Sequence, residues 1–436
     1  MSSSPLAALL VAALALAALP HAARANASPA NPRPGPATAP ARDGGFSAER
    51  LQRLHRFMRD NTDAKGYLGG VTLVSRHGRI VDWKAYGYRD IARTQPMQHD
   101  DIFRIYSMTK TVATVAVMML VEEGKLTLDD PVSRFLPAFK DAKVFAGGTA
   151  DSPTLREAKG PIRIRHLLTH TAGFPAGLDG DDEAGVLLER ADPYSAQDLK
   201  GFVDRFASVP LAADPGTRFG YDGAAMEVAA RVVEVISGQP FDAFLQARIL
   251  DPLKMVDTGF RVPHEKRSRA VDITTMGDEG KLVIADGPSA LLPGEPLRRY
   301  PSAAGGLYST AADYARFCQM LLNGGALDGA SILGRKTVDM MFRNHLTMLD
   351  PPVNQFGPAE GFGLGGYVVL DVARWGVAVS PGLYGWSGAA STTYFIDREE
   401  DLYAIALMQH IPNEQPGDLP RVGRKIMALV YQALVP

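Results

Sequence analysis

The chain has 436 residues, 46% of them apolar and 22% charged, an ordinary globular composition that excludes a disordered or fibrous protein. Its formal net charge of −2 offers no basic excess for holding nucleic acid or an anionic membrane, so a small neutral or weakly charged molecule is the expected partner. The only cysteine, Cys318, cannot close an intramolecular disulfide, and stability must come from an apolar core.

Residues 6–19 form an Ala/Leu-rich run too short to span a bilayer comfortably, followed by Ala23-Arg24-Ala25, an A-x-A type cleavage pattern. Residues 1–25 therefore read as a secretory signal, which implies a secreted or periplasmic protein with no stable membrane insertion after signal removal. Its start, Met1 to Pro5, lacks the usual basic residues, so an uncleaved anchor is the alternative; cleavage would remove Arg24 and take the net charge from −2 to −3. Residues 26–45 are rich in Pro and Ala and predict a disordered linker, with folded structure beginning near Phe46.

Leu51, Leu54 and Met58 recur at helical spacing over 47–61, behind a Ser47 able to cap the first turn with Glu49 close by. Two β-rich runs, 71–74 and 80–85, flank His77-Gly78 and predict a hairpin. Residues 108–123 are strongly helical and mostly apolar, ending at Gly124, which predicts a buried helix. From 126 to 300 helices such as 224–236, ending at Gly238, alternate with Pro/Gly/Asp-rich loops at 138–162 and 175–197, and β signal is scarce. It returns at 367–370, 392–396 and 402–408, the last two joined by a turn over 397–401, before an amphipathic helix at 419–434. Strands from both ends around a helical middle predict an α+β fold. One antiparallel sheet would be built from both chain ends and flanked by helices (about 46–110 and 300–436), with an inserted, mainly helical lobe (about 111–299). Regular βαβ alternation and internal repeats are both missing.

Ser107-Met108-Thr109-Lys110 is the only S-x-x-K in the chain and opens the buried helix. Residues three apart on a helix share a face, so the lysine amine can reach the serine hydroxyl, and burial disfavours its charged form. The helix N-terminus also aims backbone N–H groups at the serine, favouring a developing oxyanion. Taken alone, the motif more often means a capping serine and a lysine reaching water.

Its context changes that balance. With Tyr221-Asp222-Gly223 and Trp386-Ser387-Gly388 following in order, the chain resembles the serine β-lactamase and penicillin-binding protein superfamily. The phrases at 165–173, 251–255 and 305–310 are similar to the class C β-lactamase-like branch, and the resemblance runs from about 46 to 434. It implies acylation of Ser107, Lys110 as base, Tyr221 as proton shuttle, and an oxyanion hole formed by the N–H groups of Ser107 and Ala389. Substrate contacts are implied for Gly223, Trp386, Ser387 and Gly388.

Two departures from the pattern matter. Gly223 replaces the asparagine that helps hold the side-chain amide of β-lactams, and Trp386 replaces a lysine that could pair with a substrate carboxylate. Trp386 resembles the carboxylesterase branch, so the expected substrate is a small ester or amide, foremost an uncharged or weakly charged carboxylic ester. A β-lactamase or a peptidase for D-amino acid peptides is the alternative, and a non-catalytic penicillin-binding sensor or scaffold is a third. Loops 138–162, 175–197 and 343–362 are expected to line the pocket.

Three other patterns are set aside. His166 and His170 are spaced as zinc ligands often are, but Leu167 stands where H-E-x-x-H has its base, so no metal is expected. Gly361, Gly363 and Gly366 match G-x-G-x-x-G yet lead into strand-like residues, without the helix N-terminus that phosphate binding requires. The run 385–389 falls one glycine short of a nucleophile elbow around Ser387. No cofactor is expected.

Overall fold

The computed structural model describes residues 38–63, 66–175, 183–413 and 415–435, so the expected signal segment lies outside the described residues. Helix α1 (Ala48–Asn61) begins where the Ser47 hydroxyl accepts the Arg50 N–H at 3.2 Å, and it buries Leu51, Leu54 and Met58. A hairpin follows, β1 (Gly69–Arg76) and β2 (Arg79–Gly87). Helix α2 (Thr109–Glu122) is buried from Thr109 to Leu120. Further on come α3 (Ala224–Ser237), stopped by Gly238 in a left-handed conformation, and α4 (Ala311–Leu322). Strands β3 (Glu360–Phe362), β4 (Tyr367–Val369), β5 (Tyr384–Ser387), β6 (Thr393–Asp397) and β7 (Leu402–Met408) precede α5 (Gly423–Tyr431).

The strands form one seven-stranded antiparallel sheet in the order β3-β4-β5-β6-β7-β1-β2. The two chain ends meet where β1 pairs with β7, as expected from the β signal at both termini. Alternation along each strand decides which helix covers which face. Phe395 opposite Ala404 shares a face with Val74 and Asp82, and this face carries α5, through Tyr431 on Phe395, and α1, through His55 on Asp82. Tyr394, one residue earlier, faces the other way. It meets Tyr314 of α4, and its hydroxyl lies 2.7 Å from Thr111 Oγ1 of α2. Trp386 pairs with Tyr394 and so stands on this second face.

Three expectations need correction. Residues 39–45, placed by composition in the linker, dock on the sheet: Ala39 N–H bonds Ile80 O, residues Ala41–Gly44 form a 3-10 turn, and Arg76 donates to Gly44 O. The segment 138–162 holds a hairpin, Lys143–Thr149 with Ser152–Glu157; the second strand is exposed throughout, so it carries no apolar alternation to read. Within 175–197 lies the helix Glu183–Ala191. Among the described residues, no helix is long and apolar enough to cross a membrane.

Candidate active site

Short pairing of Phe103–Arg104 with Tyr308–Ser309 brings two distant segments together just before α2, and Ile105 N–H extends it to Leu307 O at 3.0 Å. Tyr106 then takes φ +44°, a left-handed conformation that costs a non-glycine residue about 1–3 kcal/mol. That bend turns the chain into the 3-10 turn Tyr106–Met108 and on into α2, leaving Ser107 half-buried at the helix mouth. Tyr314 of α4 donates from its hydroxyl to Met108 O, bracing the turn from behind.

Lys110 is 3% exposed, and its Nζ lies 3.1 Å from Ser107 Oγ. The amine also donates to Ala304 O at 2.6 Å. An amine that spends one N–H on a carbonyl keeps a lone pair to aim at the serine hydroxyl once it is neutral. Tyr221, half-buried, presents its ring to this amine, with Nζ 4.9 Å from the ring centroid, while its hydroxyl accepts the indole N–H of Trp386 at 3.1 Å. The phenol is therefore tied to the indole and touches the lysine through its ring face.

The third motif reaches the nucleophile through the turn after β5. Thr392 donates to Ile105 O, and a Cβ on Gly388 would fall 2.5 Å from that same oxygen, so only glycine fits there. Ala389 follows, half-buried, in the turn that packs on Ile105. Ser387 is exposed, and its hydroxyl bonds Thr393 Oγ1 on the neighbouring strand. Gly223 sits beside the lysine's acceptor: a Cβ there would lie 3.5 Å from both Ala304 Cβ and Tyr194 Oη, ordinary contact that leaves room for a larger residue.

Behind Tyr221, the His170 ring packs 4.6 Å away, held in a left-handed turn at φ +53° with Nδ1 3.3 Å from Asp222 Oδ2. Burial lowers the pKa of His170, and the Lys110 charge adds to this against the pull of Asp222. Asp222 in turn accepts Ala225 N–H from the first turn of α3 at 2.6 Å, which fixes the residue next to the phenol. His166 accepts Arg163 N–H, and burial pushes its pKa down to about 4. Among the described residues, no cluster of three or more His, Cys, Asp or Glu could hold a metal. The glycines at 361, 363 and 366 belong to the β3–β4 hairpin, which leans on α2 where Thr111 donates to Gly365 O.

The geometry adds groups that motif reading missed. Ala304 O, the lysine's second partner, is a backbone atom next to the Gly305-Gly306 phrase, which was the only available signal. Phe356, 40% exposed, lies 5.8 Å from both Tyr221 and Trp386, and Phe362 lies 5.1 Å from Trp386. Gln355 accepts Tyr221 N–H, so the loop ahead of β3 is fastened to the phenol's backbone. Segment 343–362 thus contributes an aromatic wall.

The model of the family described as Beta-lactamase matches residues 54–425. The chain belongs to this family. Esterase EstB of Burkholderia gladioli is 32% identical over 358 residues, spanning 78% of this chain and 85% of that protein. Lovastatin esterase of Penicillium rubens is 31% identical over 372 residues, covering 78% and 88% of the two chains. Among solved structures, EstCE1, a hydrolase with promiscuous acyltransferase activity, superposes with a TM-score of 0.70 at 27% identity, covering 88% of this chain and 98% of its own. As a member of the beta-lactamase family with these relatives, the protein is a serine hydrolase on an α+β fold.

Proposed function

We propose that the protein is an exported carboxylesterase that works through an acyl-enzyme at Ser107. Lys110 serves as the base that takes the Ser107 proton as Oγ attacks the ester carbonyl. The N–H groups of Ser107 and Ala389 receive the oxyanion. Tyr221 passes a proton to the departing alcohol, and water, activated by the same pair, then releases the acid. The Tyr221 hydroxyl accepts the Trp386 N–H and keeps its own proton to give, and catalytic hydrogen bonds commonly tighten when substrate binds.

The observation that carries the substrate class is Trp386, an indole in the third motif, which bonds Tyr221 and joins Phe356 and Phe362 in an apolar wall. Such a wall favours uncharged acyl or alcohol groups. The esterase names of two relatives support the same reading. One observation favours a carboxylate-bearing substrate such as a β-lactam or a D-amino acid peptide: Arg421 places a cation 3.3 Å from Gly388 O. Turnover of p-nitrophenyl acetate and butyrate with negligible nitrocefin cleavage is the expected result; robust nitrocefin turnover without ester cleavage would sink the ester reading. Export rests on residues 6–25, and an exported product beginning near Asn26 is expected on N-terminal sequencing. A cell-retained product that still begins at Met1 would refute it.

A further inference from the structure

Helix α3 presents an apolar face to the core, yet one of its inward residues is Glu227, 1% exposed. A buried carboxylate is costly unless its oxygens are occupied. One oxygen of Glu227 accepts the Ser302 hydroxyl at 2.5 Å and the other accepts Ala303 N–H at 2.9 Å. The next residue is Ala304, whose carbonyl holds Lys110 Nζ at 2.6 Å. Burial pushes the Glu227 carboxyl up to about 7, opposed by those two hydrogen bonds and by the charges of Lys110 and Arg298.

We propose that Glu227 is a positioning residue for catalysis: by gripping both Ser302 and Ala303 it sets the direction of Ala304 O, and so the place of the Lys110 amine against Ser107. The inference rests on the Ser107–Lys110 reading above. Segment 302–306 closes a turn on itself, Gly305 and Gly306 N–H on Ser302 O, with Gly306 O held by Arg104; the Glu227 clamp ties the start of that turn, Ser302 and Ala303, to α3, and so orients the Ala304 carbonyl within it. The grip depends on hydrogen-bond geometry and not on charge. A glutamine can donate to Ser302 Oγ, whose hydroxyl reverses its role, while still accepting Ala303 N–H. Leucine fills the same space and holds neither.

The test compares wild-type, Glu227→Gln, Glu227→Leu and Ser107→Ala enzymes on p-nitrophenyl butyrate, together with thermal unfolding. Glu227→Leu should remain folded yet lose about 100-fold in kcat with KM changed less than about threefold, the scale expected from misplacing a catalytic group. Glu227→Gln should stay within about threefold of wild-type kcat, since both hydrogen bonds survive. Wild-type kcat in Glu227→Leu, or a loss in Glu227→Gln as large as in Glu227→Leu, would overturn the positioning role. An inactive Ser107→Ala leaves the parent reading standing in either case, whereas an active one removes the parent reading itself. Should Glu227→Leu fail to fold, Ser302→Ala decides: a fall in kcat of about tenfold supports the clamp, one hydrogen bond's worth, and unchanged kcat overturns it.

Discussion

The two sides of the candidate site are built in different ways. On one side, Ser107 in the 3-10 turn and Lys110 in the first turn of α2 are three residues apart, and their 3.1 Å approach follows from that spacing and a buried helix mouth. Facing them, Tyr221, Phe356 and Trp386 come from separate stretches of chain and meet only because α3, the loop before β3, and β5 converge. The polar side is short-range and hydrogen-bonded; the aromatic side is long-range and held by ring packing. Chemistry should therefore depend steeply on the first and on the Tyr221 hydroxyl, and substrate preference more gently on Phe356 and Trp386.

The largest effect is expected on the polar side. Lys110→Met should cut kcat by about 10²–10⁴-fold on any ester, as loss of a general base does, with Tm unchanged or raised because a buried amine is removed. A loss confined to one substrate would contradict the division of labour.

Changes on the aromatic side should be smaller and substrate-dependent. Trp386→Phe removes the N–H that holds the Tyr221 hydroxyl, and a fall in kcat of about three- to tenfold is expected, one net hydrogen bond. Phe356→Ala should lower kcat/KM for p-nitrophenyl butyrate relative to acetate by about threefold or more, the scale of one or two methylene contacts. Equal losses on both esters would show that Phe356 plays no part in preference.

The last expected effect is on stability rather than turnover. Glu227 ionises near 7 in the fold against 4.5 ordinarily, so the folded state holds its proton longer than the unfolded state does, and stability falls as pH rises through that window. Facing it are Lys110 from α2, Arg298, Tyr194 and Tyr300. Glu227→Gln escapes this penalty, so its unfolding free energy should exceed wild type by a margin that grows from pH 4.5 to 7 and is then flat, on the order of 3 kcal/mol at most. A margin that shrinks with rising pH would contradict the account.

This asymmetry also explains what could be read beforehand. Ser107 and Lys110 are visible as a spacing within one turn, although that spacing alone more often means a helix cap, and the resemblance supplied its role. Tyr221 and Trp386 were legible only through resemblance, since a buried tyrosine or tryptophan alone is an ordinary core residue. Ala304 acts through a carbonyl that every residue possesses. Phe356 lies in a Pro/Asn/Gln loop without periodicity, and Glu227 is a lone acid on an apolar helix face. In the fold, the long strands β1 and β7 carry clear β signal, but β3 spans only Glu360–Phe362, too short to alternate, and the Ser152–Glu157 strand has no buried face.

The most direct measurement is labelling of the intact protein with a fluorophosphonate, followed by peptide mass spectrometry. The account predicts one adduct per chain, on Ser107, lost in Ser107→Ala together with ester turnover. An adduct on Ser387, or full ester turnover with Ser107 unmodified, would contradict it.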